Sequence, residues 1–172
     1  MAEENISKEV LLDGAQMTLS AFIAGTMGFL QERNIAIEEW VSYMGEQFSG
    51  SLADLEGDEV SSVMGHLLTL QVLPMGAEVI SSQGTADKAE ATLTPLPSRT
   101  VLEKFGTTPR ELLRGFGVTQ RKFASIFAMY EPAAEAIGLR FTHQLKNNQQ
   151  LLSLEKAPVR GKPHSRQPVS KR

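Results

Sequence analysis

The sequence predicts an α+β domain, with helices packed on one face of an antiparallel sheet of about four strands built from two hairpins. Three observations support this fold class. Apolar residues recur at helical spacing through much of residues 8–73. Two pairs of short alternating segments, at 77–94 and 139–156, have the pattern of hairpins. Between them, Thr108 and Thr119 each begin a helical pattern.

The composition suits one domain, which we assign to residues 1–156 of the 172. The chain is 41% hydrophobic and 22% charged, which is ordinary for a soluble globular protein. The absence of cysteine excludes disulfides and a cysteine nucleophile, and it fits a cytoplasmic location. Residues 157–172 hold five basic side chains and no acid, which predicts a disordered basic tail. The other residues hold 12 basic and 20 acidic side chains, a net charge of −8 that repels phosphate backbones.

The first helix is predicted from Ser7 to about Arg33. Residues 14–30 are uncharged, but their polar members and short span favour a buried helix, so no membrane span is predicted. We expect burial of an apolar stripe at Leu11, Ala15, Leu19, Phe22, Ile23 and Leu30. A second stripe holds the small residues Gly14, Thr18, Ala21, Gly25 and Gly28. Such a stripe lets a helix approach closely, which predicts a homodimer through the first helix, with core packing as the alternative.

The elements that follow are predicted from periodicity and from capping residues. Asp58 is expected to cap the third helix, and Ser98 a short helix that ends near Phe105. Pro132 should kink or split the helix that begins after Thr119, and Gly138 should end it. The predicted helices and strands are at 37–48, 58–73, 77–82, 89–94, 98–105, 139–145 and 151–156, with a turn or short helical piece at 51–57.

The catalytic motifs with fixed spacing are missing from this sequence. It has no phosphate-binding loop, zinc-protease motif, nucleophile elbow or paired metal-ligand spacing, so it identifies no cofactor and no metal site. The candidate site is therefore built from scattered residues around a histidine in the third predicted strand.

His143 is the candidate centre of a ligand-binding site. Period-two alternation puts it on the same strand face as Phe141, towards the helices. Phe123, Phe127 and Tyr130, on the helix that leads into this strand, are expected to cover it. An aromatic wall with one imidazole is typical of a pocket for a small apolar or aromatic ligand. The alternative is a core histidine that hydrogen-bonds to a backbone carbonyl or a glutamate.

The order of elements resembles that of 4-vinyl reductase-like and aminothiazoline-carboxylate hydrolase-like domains. The resemblance covers roughly residues 40–156 and includes the stretches Leu93-Thr94-Pro95 and Ala136-Ile137-Gly138. It implies a small-ligand pocket between sheet and helices, in a protein that is often dimeric. The cysteines of those domains are missing here, where Pro95-Leu96-Pro97 and Leu152-Ser153-Leu154 stand in their places, so roles that depend on cysteine do not carry over.

Residues 108–127 also resemble a helix-turn-helix, with the last hairpin as a wing. Thr119, Gln120, Arg121 and Lys122 would then open a recognition helix and contact DNA. Residues 99–122 carry six basic and two acidic side chains, which suits contact with phosphates. Leu113 departs from the motif, because a small residue is expected where the two helices meet.

Three functions follow in order of preference. The first is a cytoplasmic domain that binds or senses a small organic ligand without catalysis. The second is a winged helix-turn-helix transcriptional regulator. The third is a hydrolase or reductase, whose acid–base chemistry would have to use His66, His143 and scattered carboxylates.

Overall fold

The computed structural model describes residues 7–158. These residues contain seven α-helices and one four-stranded antiparallel sheet. The α+β class is therefore confirmed, whereas nearly all of the predicted basic tail lies outside the described residues. The helices are α1 (Lys8–Glu32), α2 (Ile37–Gln47), α3 (Val60–Leu67), α4 (Arg99–Lys104), α5 (Pro109–Gly115), α6 (Gln120–Ala124) and α7 (Glu131–Ala136). The strands are β1 (Val79–Gly84), β2 (Lys88–Leu93), β3 (Leu139–Lys146) and β4 (Gln149–Lys156).

The sheet joins the two predicted hairpins through their second strands, in the order β1-β2-β4-β3. The hairpin β3–β4 turns at Asn147 and Asn148, whose φ angles of +50° and +56° suit the two-residue turn that matches strand twist. Burial alternates along β2 and β4, so one sheet face packs against the helices and the other carries mainly polar side chains.

The strand β1 departs from its prediction. Residues 77–82 were expected to alternate in burial, but β1 runs from Val79 to Gly84 and all six of its residues are exposed. The reason is that the helices cover little of β1, in contrast to the other edge strand β3, and a register shift between Val79 and Ser81 interrupts its pairing with β2.

Several helix starts follow the predicted capping chemistry. The side chains of Ser7, Ser98 and Thr119 each accept a hydrogen bond from a backbone N–H of the helix that follows. Thr108 and Glu111 form the reciprocal capping box that the sequence predicts, with Pro109 at the first helical position. Local sequence alone therefore determines where these helices begin.

The prediction for the third helix was wrong at its start. Asp58 does not cap it, because α3 begins at Val60 and no side chain caps its first turn. The backbone N–H groups of Val60 and Ser61 instead donate to the carbonyls of Ala86 and Thr85 in the β1–β2 loop. A tertiary contact thus satisfies donors that a side chain was expected to satisfy.

Pro132 splits the helix after Thr119, as predicted. The α-helical residues of α6 end at Ala124, a 3₁₀ segment covers Ser125–Tyr130, and α7 begins at Glu131 with the proline in its first turn. Other short helical segments of non-α geometry are Ser49–Leu55, Leu68–Val72 and Leu73–Met75.

The face of α1 that packs on the domain overlaps the expected one only at Ile23 and Leu30. Of the stripe predicted to be buried, Ile23 is buried and Leu30 is partly buried, whereas Leu11, Ala15, Leu19 and Phe22 are exposed. Phe22 is 68% exposed. The buried face combines apolar residues with small and polar ones, namely Gln16, Ser20, Ile23, Ala24, Met27 and Gly28.

Close approach explains this choice of face. A Cβ atom on Gly28 would lie 2.5 Å from the carbonyl oxygen of Phe116, in the turn between α5 and α6. Gly25 faces the ring of the same phenylalanine, and the Gln16 amide donates to the Leu73 carbonyl over 3.3 Å. Part of the small-residue stripe is therefore occupied by Phe116 of the same chain, and a second copy cannot occupy that part.

By length and composition, α1 is also a candidate membrane span, with a mean hydropathy of 1.2 over 18 residues. Core helices of globular proteins meet the same criterion, and one face of α1 packs on the domain. The described residues therefore contain no clear membrane span.

Two glycines of α1 give a matched test of this packing. We expect Gly28→Ala to lower the free energy of unfolding by about 1–3 kcal/mol, because the new methyl group collides with the Phe116 backbone. Gly14→Ala should instead raise it by about 0.5–1 kcal/mol, because no atom lies within 4 Å of its Cβ position and alanine favours the helix. Urea unfolding followed by Trp40 fluorescence measures both effects, and equal effects would disprove the contact.

Candidate functional site

The strand β3 carries the candidate site, and its position follows from Gly138. This residue ends α7 with a φ of +76°, a conformation that glycine adopts without steric cost, and the strand begins at the next residue. Leu139 and Phe141 are buried on the inner face, and His143 and Leu145 are half-buried on the same face. His143 therefore faces the helices, as predicted.

The predicted aromatic residues come together at this strand. Ring centroids are 6.2 Å apart for Phe127 and His143, and 6.3 Å apart for Phe141 and His143. Tyr130 lies edge-on to Phe141 at 5.9 Å. Phe123, the fifth predicted residue, is buried in the same hydrophobic core. At these separations the rings pack against one another, so they form a wall and do not enclose an empty pocket.

The imidazole of His143 is the polar group at the edge of this cluster. Its side chain is 19% exposed, and its Nε2 atom lies 4.0 Å from Oε1 of Glu131, too far for a hydrogen bond. Within residues 7–158, no hydrogen bond is formed by the imidazole. Burial lowers the pKa of His143 below its ordinary 6.5 and raises the pKa of Glu131 above its ordinary 4.5. The ring is therefore neutral at pH 7, with one nitrogen able to accept and one able to donate.

An open concavity of about 470 Å³ exposes this imidazole to solvent. We name it the His143 concavity. It is lined by Arg121, Ala124, Ser125, His143, Gln144 and Leu145, from α6, the 3₁₀ segment and β3. A guanidinium, an amide and an imidazole thus surround a space with an apolar wall, which is the chemistry of a small-ligand site.

Ser125 lines the same space but is not arranged as a nucleophile. Its hydroxyl donates to the backbone carbonyl of Lys122 over 2.7 Å. A catalytic serine donates its hydroxyl hydrogen to a base that can accept the proton. Here the hydroxyl donates to a backbone carbonyl, which cannot act as that base. The geometry therefore supports binding better than nucleophilic catalysis.

Most of the residues predicted to contact DNA form hydrogen bonds within the chain. Thr119 caps α6, the Gln120 amide donates to the Leu96 carbonyl, and the Lys122 ammonium donates to Gln31 of α1. Arg121 is exposed and lines the His143 concavity. The helix that would read base edges has five α-helical residues before the 3₁₀ segment begins.

Gln150 is a polar residue that sequence reasoning missed. Its exposed fraction is 0%, it lies between Leu93 of β2 and Leu145 of β3, and neither atom of its amide has a hydrogen-bond partner. The predicted strand begins at residue 151, whereas β4 begins at Gln149. A strand that starts there places Gln150 on the same face as Leu152 and Leu154, which would have predicted its burial. No cluster of three potential metal-ligating side chains occurs in the described part of the chain.

No family model matches the chain, and no curated protein matches it. The resemblances to ligand-binding domains and to winged helix-turn-helix regulators therefore stay predictions.

Replacing Gln150 tests whether its amide is truly without a partner. We expect Gln150→Met to raise the free energy of unfolding by about 1–3 kcal/mol, because a side chain of similar shape removes two unsatisfied polar atoms. The control is Gln149→Met, at a half-buried neighbour, which should change stability by less than about 0.5 kcal/mol. Thermal and urea unfolding would measure both. Destabilisation by Gln150→Met would mean that the amide has a bound partner.

Proposed function

We propose that the protein binds a small organic ligand at the His143 concavity and does not catalyse its conversion. The observation that carries this proposal is the half-buried, neutral imidazole, which has no hydrogen-bond partner among residues 7–158, packs against buried aromatic rings and opens into the His143 concavity. A polar group of this kind gains most from a ligand that completes its hydrogen bonds. The ligand class is a small aromatic molecule with one hydroxyl, amine or carboxyl group.

The surroundings of His143 support this ligand class. Ala124 and Leu145 give the His143 concavity an apolar lining, while Arg121, Ser125 and Gln144 add polar groups. A site of this composition orients a ligand through few hydrogen bonds and binds it through apolar contact. A cytoplasmic location belongs to the same proposal.

The two alternative functions have weaker support. DNA binding would require Gln120 and Lys122 to leave their contacts with Leu96 and Gln31. A hydrolase or reductase would have to use His143 with Glu131. The hydroxyl of the nearby Ser125 already donates a hydrogen bond to the Lys122 carbonyl. Ligand binding needs no such rearrangement.

The substitution His143→Leu tests the proposal. Saturation-transfer NMR against a library of small aromatic acids, phenols and amines should yield ligands whose affinity falls at least about tenfold in this variant, because a hydrogen bond to the imidazole is lost. Thr142→Val, on the opposite face of β3, is the control and should bind like the wild type. Ligands that bind both variants equally, or a library without ligands, would contradict the proposal.

The same variant has a second readout in the pH dependence of stability. The folded-state pKa of His143 is depressed, so the unfolded chain binds its proton more readily. The free energy of unfolding is therefore unaffected by this histidine above pH ~6.5, and it falls as the pH drops below that value and the ring must be protonated. His143→Leu should remove this part of the pH dependence, whether or not a ligand binds.

We also propose a homodimer through the exposed face of α1, in place of the small-residue stripe. Phe22 and Phe29 are both more than half exposed and together offer roughly 250 Å² of apolar surface. With Leu11, Leu12 and Leu19, they provide more than half of the about 800 Å² that each partner buries in a standard interface.

Charge favours a second copy over a membrane surface as the occupant of this face. The charged residues of α1 and of its C-terminal cap are Lys8, Glu9, Asp13, Glu32 and Arg33. Membrane-surface helices carry an excess of basic residues, which this helix lacks. The long uncharged face between its two ends is suited to pack against an identical face.

Sedimentation velocity tests the dimer. We expect the wild type to dimerise at micromolar concentration and Phe22→Asp to be monomeric, because the new carboxylate would be buried without a partner. Tyr43→Asp changes an equally exposed aromatic residue on α2 and should leave the dimer intact. A wild type that stays monomeric at high concentration would rule out this interface.

A further inference from the structure

A second open concavity, of about 620 Å³, lies at the corner between α5 and α6. The α4 helix, the α5 helix and the β3–β4 turn meet around it. Its charged lining consists of Arg99, Arg110 and Arg114, and no acidic side chain lines it. We name this space the arginine concavity.

The acids nearest in sequence to these arginines are already engaged. Glu103 pairs with Arg99 over 2.6 Å, and Glu111 accepts hydrogen bonds from Thr108 in the capping box. Neither Arg110 nor Arg114 forms an ion pair within the part of the chain that the structure describes. These two arginines stand four positions apart on one helix, where like charges repel each other. A bound anion between them would remove that repulsion and would receive hydrogen bonds from both.

The floor of the concavity is apolar. Leu113 and Val118 line it and are almost completely buried, and Pro109 adds a further apolar wall. The Gln120 side chain, which donates to the Leu96 carbonyl, fixes one side. Inorganic phosphate would contact the arginines without contacting this apolar lining.

We propose that the arginine concavity binds an amphipathic organic anion. Its carboxylate or phosphate group contacts Arg110 and Arg114, and its apolar group covers Leu113 and Val118. This site is separate from the His143 concavity, and the two share no lining residue. The anion is either a free organic acid or the head group of a lipid, since both present the same chemistry to the two guanidinium groups.

The test uses the full chain, labelled with ¹⁵N, and three probes of graded chemistry. Octanoate carries both groups, acetate carries the charge alone, and 1-octanol carries the apolar chain alone. We expect octanoate to shift the backbone amides of residues 110–120 and of Asn148, and to bind at least about tenfold more tightly than either other probe. Equal binding of all three, or shifts confined to α1, would overturn the proposal.

Matched variants separate this site from general attraction to a basic surface. The double variant Arg110→Gln and Arg114→Gln should bind octanoate at least about tenfold more weakly. Lys8→Gln, at an exposed residue of α1, should bind it like the wild type. An unchanged affinity in the double variant would overturn the site.

Two further measurements identify the source of the anion. Sedimentation with phosphatidylglycerol vesicles that depends on Arg110 and Arg114 would support the site with a lipid as its ligand. Octanoate binding without vesicle binding would support the site with a free acid as its ligand. If the arginines are needed for binding to duplex DNA but not to octanoate or vesicles, the site is a nucleic-acid contact and the proposal is wrong.

Discussion

The pairing of β2 with β4 is the contact on which the rest of the structure depends. It joins hairpins that are about 45 residues apart in the sequence into one sheet, and it sets Ala89 and Ala91 opposite Leu154 and Leu152. Small residues beside large ones let α3 lie close to the sheet, with Val60, Val63 and Met64 in the common core. If this ladder were lost, each hairpin would be an isolated two-stranded unit, which is marginal in water.

This arrangement leaves two polar side chains, His143 and Gln150, among the buried and half-buried residues of the inner sheet face. His143 lies on the edge strand β3, where one side of the imidazole meets Phe127 and the other meets an opening to solvent. Gln150 lies inside the sheet, next to the β2–β4 ladder, and is fully buried. An edge position allows a polar group to bind a partner from outside, whereas an interior position has no such access. The geometry thus distinguishes a candidate recognition residue from a buried residue that lowers stability.

Local sequence predicted the parts of the fold that local chemistry determines. The capping box at Thr108, the turn at Gly138 and the inward face of Phe141 and His143 depend on residues within a few positions of one another. The proximity of the candidate site residues was predictable for the same reason, since strand alternation and helix periodicity are short-range patterns. Whether the rings enclose a cavity depends on how several elements pack, and no short-range pattern contains that information.

The errors occurred where a distant contact outweighed a local preference. Most of the apolar stripe of α1 was expected to be buried, but the helix packs through the face that holds Gln16, Ala24 and Gly28, where Gly28 lies against the Phe116 backbone. The start of α3 depends on carbonyls of the β1–β2 loop, and not on Asp58. The strand β1 lacks the expected alternation because the helices cover little of it, whereas α7 packs on the other edge strand, β3.

The choice of the face through which α1 packs has a consequence for the order of folding events. The inner face of this helix bonds to groups far along the chain, from Gln16 to Leu73 at a separation of 57 residues and from Asp13 to Lys104 at a separation of 91. Ordering such distant contacts costs much loop-closure entropy, so they form slowly compared with the hairpins. During synthesis α1 leaves the ribosome before the other described elements, yet it can dock only after α5 has been made. Until then both of its faces are unprotected, and its apolar residues are open to aggregation.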